Sequence, residues 1–202
     1  LLNTIAMRKI PRLFFSFIFF VGCTKKCELA SQFEVPLYIQ ITKVPSVKLV
    51  TDTITVTASV PFKTYDLRIP TIGVSTEKYK PSTCYFTMSA IPSTGGSPIP
   101  PIIPFQDGYF DVLVIKGKRL KYLYFDFEKS DTAWVVNFKL IPKRKFDGLF
   151  FLRWSRIEYK DECVQIDPIT ILVNTPKSHH LIKERLDFPL SPWQNDVFFY
   201  VE

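Results

Sequence analysis

The sequence is poor in glycine and has no long apolar stretch. Glycine accounts for 7 of the 202 residues, which excludes collagen-like and glycine-rich linker proteins. The apolar run at residues 13–21 is too short for a membrane-spanning helix, which needs about 20 residues. The 16 prolines exclude a long coiled coil because proline interrupts helices. With 47% hydrophobic and 22% charged residues, the chain is expected to fold around a core.

Motifs of common enzyme classes are also missing. The sequence contains neither a Gly-x-Ser-x-Gly elbow nor a glycine-rich phosphate loop. The two histidines, His179 and His180, are adjacent. On a helix they would point about 100° apart and would not easily share one metal ion. We therefore predict no catalytic residues, no metal site, no nucleotide and no organic cofactor.

The first residues have the layout of a secretory signal. Three basic residues lie within residues 8–12, the apolar run 13–21 follows, and Gly22 and Cys23 come next. Met7 stands where an initiator is expected, so residues 1–6 are interpreted as an upstream artefact. Residues 20–23, Phe-Val-Gly-Cys, resemble the lipobox of bacterial lipoproteins, with phenylalanine in place of the usual leucine.

This resemblance implies cleavage before Cys23 and a lipid on its sulfur and amine. Three acyl chains would anchor the mature protein stably in a membrane. The short aromatic strands and proline-rich loops also resemble small envelope lipoproteins of Bacteroidota. We therefore expect a signal peptide at 1–22, a lipidated tether at 23–32, and a location in the cell envelope. The outer membrane is the expected site, facing either the periplasm or the cell surface. Nucleic acid is not an expected partner, because such binding requires a basic face and a cytoplasmic location.

The rest of the chain has the alternating pattern of half-buried β-strands. Apolar and polar residues alternate at 35–42, 53–60 and 84–90, and prolines border these runs. Further runs are separated by turn residues at spacings of about ten, which is typical of antiparallel hairpins. These runs cover residues 109–115, 119–127, 133–141, 149–157 and 163–173, followed by a last strand at 197–201.

We therefore predict an all-β fold. The expected architecture is an antiparallel β-sandwich, Ig-like or related, in a single domain at 33–202. Two segments depart from the strand pattern. Residues 92–104 hold five prolines and two glycines, which indicates a long exposed loop. Thr175 and Pro176 could begin one short helix near the C-terminus, extending to about Leu186.

Four cysteines are present, and export would place them in an oxidising compartment. If Cys23 carries lipid, then Cys27, Cys84 and Cys163 remain. We expect one disulfide, with Cys84–Cys163 as the leading pair, because both residues belong to predicted strands. The pair Cys27–Cys163 is the alternative, since sequence alone does not fix connectivity.

Two side-chain pairs lie on the predicted strand 119–127. Tyr122 and Tyr124 would form an aromatic strip on one face, and exposed tyrosines can stack on sugar rings or anchor a protein interface. Asp126 and Glu128 would lie about 7 Å apart on one face, a spacing that could suit glycosidic acid–base chemistry. Carboxylates on an outward strand face are, however, common in solvated sheets.

Together these features predict a membrane-anchored envelope lipoprotein. Its expected role is that of a non-enzymatic binding or structural module, with the membrane and an envelope protein or glycan as partners. A glycan-binding accessory lipoprotein is the first alternative, and it depends on Tyr122 and Tyr124. A carboxylate-dependent hydrolase that uses Asp126 and Glu128 is the second. The fold class does not decide among these functions.

Overall fold

The computed structural model describes most of the chain after residue 30. The described residues are 31–42, 44, 46–49, 51–93, 103–104, 108–159, 164–175, 178, 181 and 196–202. The predicted signal peptide, Cys23 and Cys27 therefore lie outside this part of the chain. So do Cys163, His179, His180 and most of the proline-rich loop.

The prediction of an all-β fold is confirmed for this part of the chain. Fifteen strands are described. They are β1 (Ser31–Ile41), β2 (Ser46–Val47), β3 (Ile54–Pro61), β4 (Lys63–Tyr65), β5 (Gly73–Ser75), β6 (Pro81–Pro92), β7 (Ile103–Pro104), β8 (Phe110–Lys116), β9 (Lys118–Lys121), β10 (Tyr124–Asp126), β11 (Glu128–Lys129), β12 (Ala133–Pro142), β13 (Gly148–Tyr159), β14 (Val164–Leu172) and β15 (Asp196–Val201).

The strands form two large sheets and one small one. The six-stranded sheet has the order β11-β12-β3-β1-β14, and β8 also pairs with β12. The seven-stranded sheet has the order β2-β15-β13-β6-β10-β9, and β7 also pairs with β6. Strands β4 and β5 form a separate hairpin. Most pairs are antiparallel, as predicted, but β1 pairs with β14 in parallel, and so does β15 with β2.

The alternating pattern of each long strand places its apolar residues in the core. Along β3 and β12, buried and half-buried residues alternate without a break. The two large sheets share one core, because aromatic rings from both meet in it. Phe138 of β12 lies 5.2 Å from Phe86 of β6 and 4.3 Å from Phe125 of β10, measured between ring centroids. Phe110 of β8 similarly lies 5.0 Å from Phe150 of β13.

A second, smaller core covers part of the other face of the seven-stranded sheet. Leu181 packs there with four buried residues, Ile91, Leu149, Phe151 and Phe198. The hydroxyl of Ser178 accepts a hydrogen bond of 2.8 Å from the backbone N–H of Phe198. These contacts dock Ser178 and Leu181 on the outer surface of β13 and β15.

The structure bears on three of the predicted elements. The predicted strand 119–127 is divided into β9 and β10, which pair antiparallel across a turn at Tyr122 and Leu123. The predicted helix at 175–186 is not seen: of its described residues, Thr175 and Ser178 have no helical assignment, and Leu181 has one only as a single residue. The last strand, β15, does not close an edge of the sheet, because β2 pairs with it on the outer side.

Gly148 shows why a turn residue is required at the start of β13. Its φ of +151° lies in a region that side-chain-bearing residues rarely adopt. A Cβ atom at this position would lie 2.8 Å from the Cα atom of Pro92 and would overlap the carbonyl oxygen of Ile91. Glycine therefore allows the close approach of β13 and β6 at this end of the sheet.

We predict that Phe138→Ala destabilises the fold by about 3–5 kcal/mol, because it leaves a cavity between the two sheets. Leu113→Ala is the matched control, since Leu113 lies in the same sheet but its side chain is 52% exposed. The control should lower the free energy of unfolding by less than about 1 kcal/mol. Urea unfolding followed by tryptophan fluorescence measures both values. Equal losses for the two variants would contradict the described core.

Candidate functional site

A cleft of about 320 Å³ lies beside β6 in the seven-stranded sheet. Its lining residues come from two places only, residues 85–89 of β6 and residues 122–124 at the β9–β10 turn. The volume is at the lower end of the range of small-molecule sites, which is about 300–1,000 Å³. The cleft therefore offers room for a small ligand or for one part of an extended ligand.

The cleft exists because β10 accompanies β6 over a short distance only. The backbone N–H of Phe86 donates a hydrogen bond of 3.1 Å to the carbonyl oxygen of Leu123, where the hairpin ends. Backbone groups of alternate strand residues point to the same side, so the N–H and C=O of Met88 point to this side as well. Of the described strands, β7 is the next neighbour, and it pairs with Ser89 and Ala90. The backbone of Met88 therefore faces the space between β7 and the hairpin.

Two tyrosines form one wall of the cleft. Tyr85 of β6 and Tyr124 of β10 are cross-strand partners, and their rings stack with centroids 4.0 Å apart and an angle of 25° between planes. Burial and a side-chain hydrogen bond with Tyr124 raise the pKa of the Tyr85 phenol. A tyrosine hydroxyl is already protonated at neutral pH, and the upward shift of the Tyr85 pKa keeps it a hydrogen-bond donor to still higher pH. The wall is therefore aromatic and uncharged.

Tyr122 borders the cleft from an unusual backbone conformation. Its φ is +48°, in the left-handed region that residues other than glycine, asparagine and aspartate rarely adopt. The Nε of Arg119 donates a hydrogen bond to the carbonyl oxygen of Tyr122. The side chain is 52% exposed. The turn thus presents a large aromatic ring to solvent at the rim of the cleft.

A lysine accompanies this aromatic surface. Lys121 of β9 is the cross-strand partner of Tyr124, so both side chains project from the same face of the sheet. The Lys121 ammonium lies 5.0 Å from the ring centroid of Tyr122, which is within the range of a cation–π contact. One cation therefore lies at the edge of the cleft.

Tyr122 and Tyr124 were predicted to form an aromatic strip on one strand face. Both residues line one cleft, but they do not share a strand face, because Tyr122 belongs to the turn and Tyr124 to β10. The alternating pattern of β6 placed Tyr85, Thr87 and Ser89 on a face opposite the core. The pattern did not predict that these three residues lie beside the β9–β10 hairpin, because the sequence of one strand does not show which strands pair with it.

The carboxylates proposed for hydrolysis are in different surroundings from those predicted. Asp126 ends β10, and Glu128 begins β11 in the other large sheet, so the two do not share one strand face. Asp126 forms an ion pair of 3.0 Å with Lys80. Glu128 accepts a hydrogen bond of 2.9 Å from the backbone N–H of Gly117. Each carboxylate thus has its own structural contact.

Cys84 is fully buried, and burial raises the pKa of its thiol above the usual range. A buried thiol with a raised pKa is a poor nucleophile, so Cys84 behaves as a core residue. Its position on the inward face of β6 was predicted correctly. The disulfides Cys84–Cys163 and Cys27–Cys163 remain predictions, because Cys27 and Cys163 lie outside the described residues.

The described residues hold neither a metal-binding cluster nor a membrane-crossing helix. No group of three or more histidine, cysteine, aspartate or glutamate residues in this part of the chain is arranged to hold a metal ion. In the same part of the chain, no helix has the length and apolar character needed to cross a membrane. The tyrosine-bordered cleft is therefore the candidate site that we consider further.

Comparison with known proteins identified no relative. No family model, no curated protein and no solved structure matches this chain. Functional inference therefore depends on the residues of the cleft.

We predict that Tyr122→Asn leaves the free energy of unfolding within about 0.5 kcal/mol of wild type, or raises it, because asparagine tolerates the left-handed region. Tyr122→Val should lower it by about 1–2 kcal/mol, because a β-branched residue is strained there. Both variants remove the ring, so the difference between their free energies of unfolding reports the backbone strain at position 122. Denaturant unfolding measures it, and equal stabilities would argue against a left-handed turn.

Proposed function

We propose that this protein is a non-enzymatic binding module of the cell envelope that binds a glycan in the tyrosine-bordered cleft. The observation that carries the proposal is the exposed aromatic surface at an open cleft. Tyr122 is 52% exposed and Tyr124 is 37% exposed, and both line the same space. Large exposed rings of this kind interact favourably with the C–H faces of sugar rings.

Polar groups of the cleft complement these rings. Thr87 and Ser89 lie along its β6 side, and their hydroxyls can both donate and accept hydrogen bonds. The backbone N–H and C=O of Met88 add one donor and one acceptor. Sugar hydroxyls need such mixed partners, while a purely apolar ligand would leave these groups without hydrogen bonds. The chemistry of the cleft therefore favours a carbohydrate over a hydrocarbon ligand.

We further infer that the two large sheets form a β-sandwich of the Ig-like or a related type. The aromatic contacts between Phe138, Phe86 and Phe125 support this inference, because they join the inner faces of two sheets. The parallel pairs at β1–β14 and β2–β15 distinguish the topology from a purely antiparallel sandwich.

The proposal includes anchoring by lipid at Cys23. The order of basic residues, apolar run, Gly22 and Cys23 supports it. Residues 24–30 separate Cys23 from the start of β1 at Ser31, and seven extended residues span about 23 Å at most. That length would place the folded strands just outside the membrane surface, within reach of envelope glycans.

The proposal predicts that Tyr124→Ala weakens glycan binding, because it removes one ring of the stacked wall. The loss of one stacking contact should reduce affinity about tenfold. Tyr65→Ala is the matched control, since Tyr65 is 41% exposed but lies on β4, outside the residues that line the cleft. The measurement is binding of the purified full chain and both variants to a glycan array, followed by calorimetry with the glycans that bind.

Glycan binding that is unchanged in Tyr124→Ala would contradict the proposed site. Equal losses in Tyr124→Ala and Tyr65→Ala would also contradict it. If wild-type protein binds no glycan at all, the glycan proposal fails, and a purely structural role in the envelope takes its place.

The anchoring proposal predicts that Cys23→Ser releases the protein from the membrane fraction or leaves it unprocessed, because serine offers no thiol for lipid attachment. Fractionation of cells that express wild type or Cys23→Ser, with immunoblotting, measures the distribution. Cys27→Ser is the control, and it should remain with the membrane. Mass spectrometry of purified wild type that finds an unmodified Cys23 would contradict the proposal.

A further inference from the structure

The face of the sheet that carries Tyr124 is rich in lysine. Lys121 lies opposite Tyr124 and Lys118 lies opposite Asp126 in the β9–β10 ladder. Cross-strand partners project from the same face, so both lysines accompany the tyrosine wall. All four residues of β9 are exposed, and the strand is the last one at this edge of the sheet. Nothing in the described neighbouring strands covers these ammonium groups.

The acidic groups nearby do not balance this charge. Two carboxylates lie nearby. The Lys80 ammonium lies 3.0 Å from Asp126, and Glu128 accepts a hydrogen bond from the backbone N–H of Gly117, the residue before Lys118. Four cationic residues, Lys80, Lys118, Arg119 and Lys121, thus accompany two carboxylates. The local excess of positive charge attracts an anion, and the Lys121 ammonium is the one that contacts an aromatic ring of the cleft.

The opposite side of the cleft differs in its charge balance. Arg153 is the cross-strand partner of Thr87 on the β13 side. Asp196 binds its guanidinium through two hydrogen bonds of 2.8 and 3.1 Å. The charge of Arg153 is therefore offset within the protein. An anionic ligand would be attracted to the β9 side rather than to the β13 side.

We propose that the cleft selects glycans that carry a negative charge, with Lys121 binding the anionic group while Tyr122 and Tyr124 contact the sugar ring. This inference rests on the proposed glycan-binding function and specifies the class of sugar. A uronate carboxylate and a sugar phosphate share the required chemistry, since a lysine ammonium acts as a compact point charge toward either. Lys118 adds to the local field that attracts the ligand.

The test is an array in which each acidic glycan has a neutral counterpart. Uronate oligosaccharides are printed beside their methyl esters, and phosphorylated oligosaccharides beside their dephosphorylated forms. Wild-type full chain should bind the charged member of at least one pair about twofold to fivefold more tightly. The preference should weaken as salt concentration rises. The type of pair that responds distinguishes a carboxylate ligand from a phosphate ligand.

Variants separate the role of Lys121 from that of net charge. Lys121→Gln should bring the ratio of charged to neutral binding within each pair close to one, while Lys121→Arg should retain the preference. The double variant Lys48→Gln with Lys145→Gln changes two exposed lysines outside the cleft and should behave like wild type.

The outcomes are distinguishable from those of the general proposal. Equal binding of charged and neutral members, or a preference that survives in Lys121→Gln, overturns the selection of anionic glycans and leaves glycan binding intact. A preference that is lost equally in the Lys48 and Lys145 double variant also overturns it, because net charge would then explain the effect. Absence of any glycan signal overturns the glycan-binding function and this inference with it.

Discussion

The contact of Phe138 with rings of the opposite sheet is the interaction on which the rest of the structure depends. Phe138 is fully buried, and it meets Phe86 edge-on and Phe125 face to face. Aromatic pairs in these geometries are favourable beyond the area that they bury. Because Phe86 and Phe125 lie on β6 and β10, the same contacts hold in place the two strands whose outward residues form the cleft. The inner faces of these strands thus stabilise the position of Tyr85 and Tyr124.

The cleft itself depends on a short hairpin. If residues 119–127 formed one continuous strand, that strand would lie along the edge of the sheet, and there would be no turn at Tyr122. Instead the chain reverses at Tyr122 and Leu123, and β10 pairs with β6 only at Tyr85 and Cys84. The next stretch of β6 is left with its backbone facing open space. A tyrosine at φ +48° is less favourable than glycine there, and conformations of this kind are often found at functional sites.

Much of the strand pattern was predictable from sequence. The runs at 133–141 and 149–157 fall within β12 and β13, and the run at 53–60 begins one residue before β3. Burial of one face imposes this period of two. The turn at Tyr122 was not predictable, since its residues carry no glycine, proline or asparagine signal. The parallel pairs were also not predictable, because each strand's pattern says which face is buried and not which strand lies beside it. The position of Lys121 beside the cleft was not predictable for the same reason, because it depends on the pairing of β9 with β10.

The pairing of β1 with β14 has a consequence for how the protein folds. Gln32 and Asp167 form a hydrogen bond although they are 135 positions apart. Strand β2, near the start of the described residues, likewise pairs with β15, near the end of the chain. Contacts between distant residues slow folding, because a large loop must be closed before they contribute stability. During synthesis, the first strands therefore remain without their final neighbours until most of the chain has emerged. Their apolar residues and unpaired backbone edges stay open to association with other chains over that interval, so efficient folding would require partners that shield the early strands.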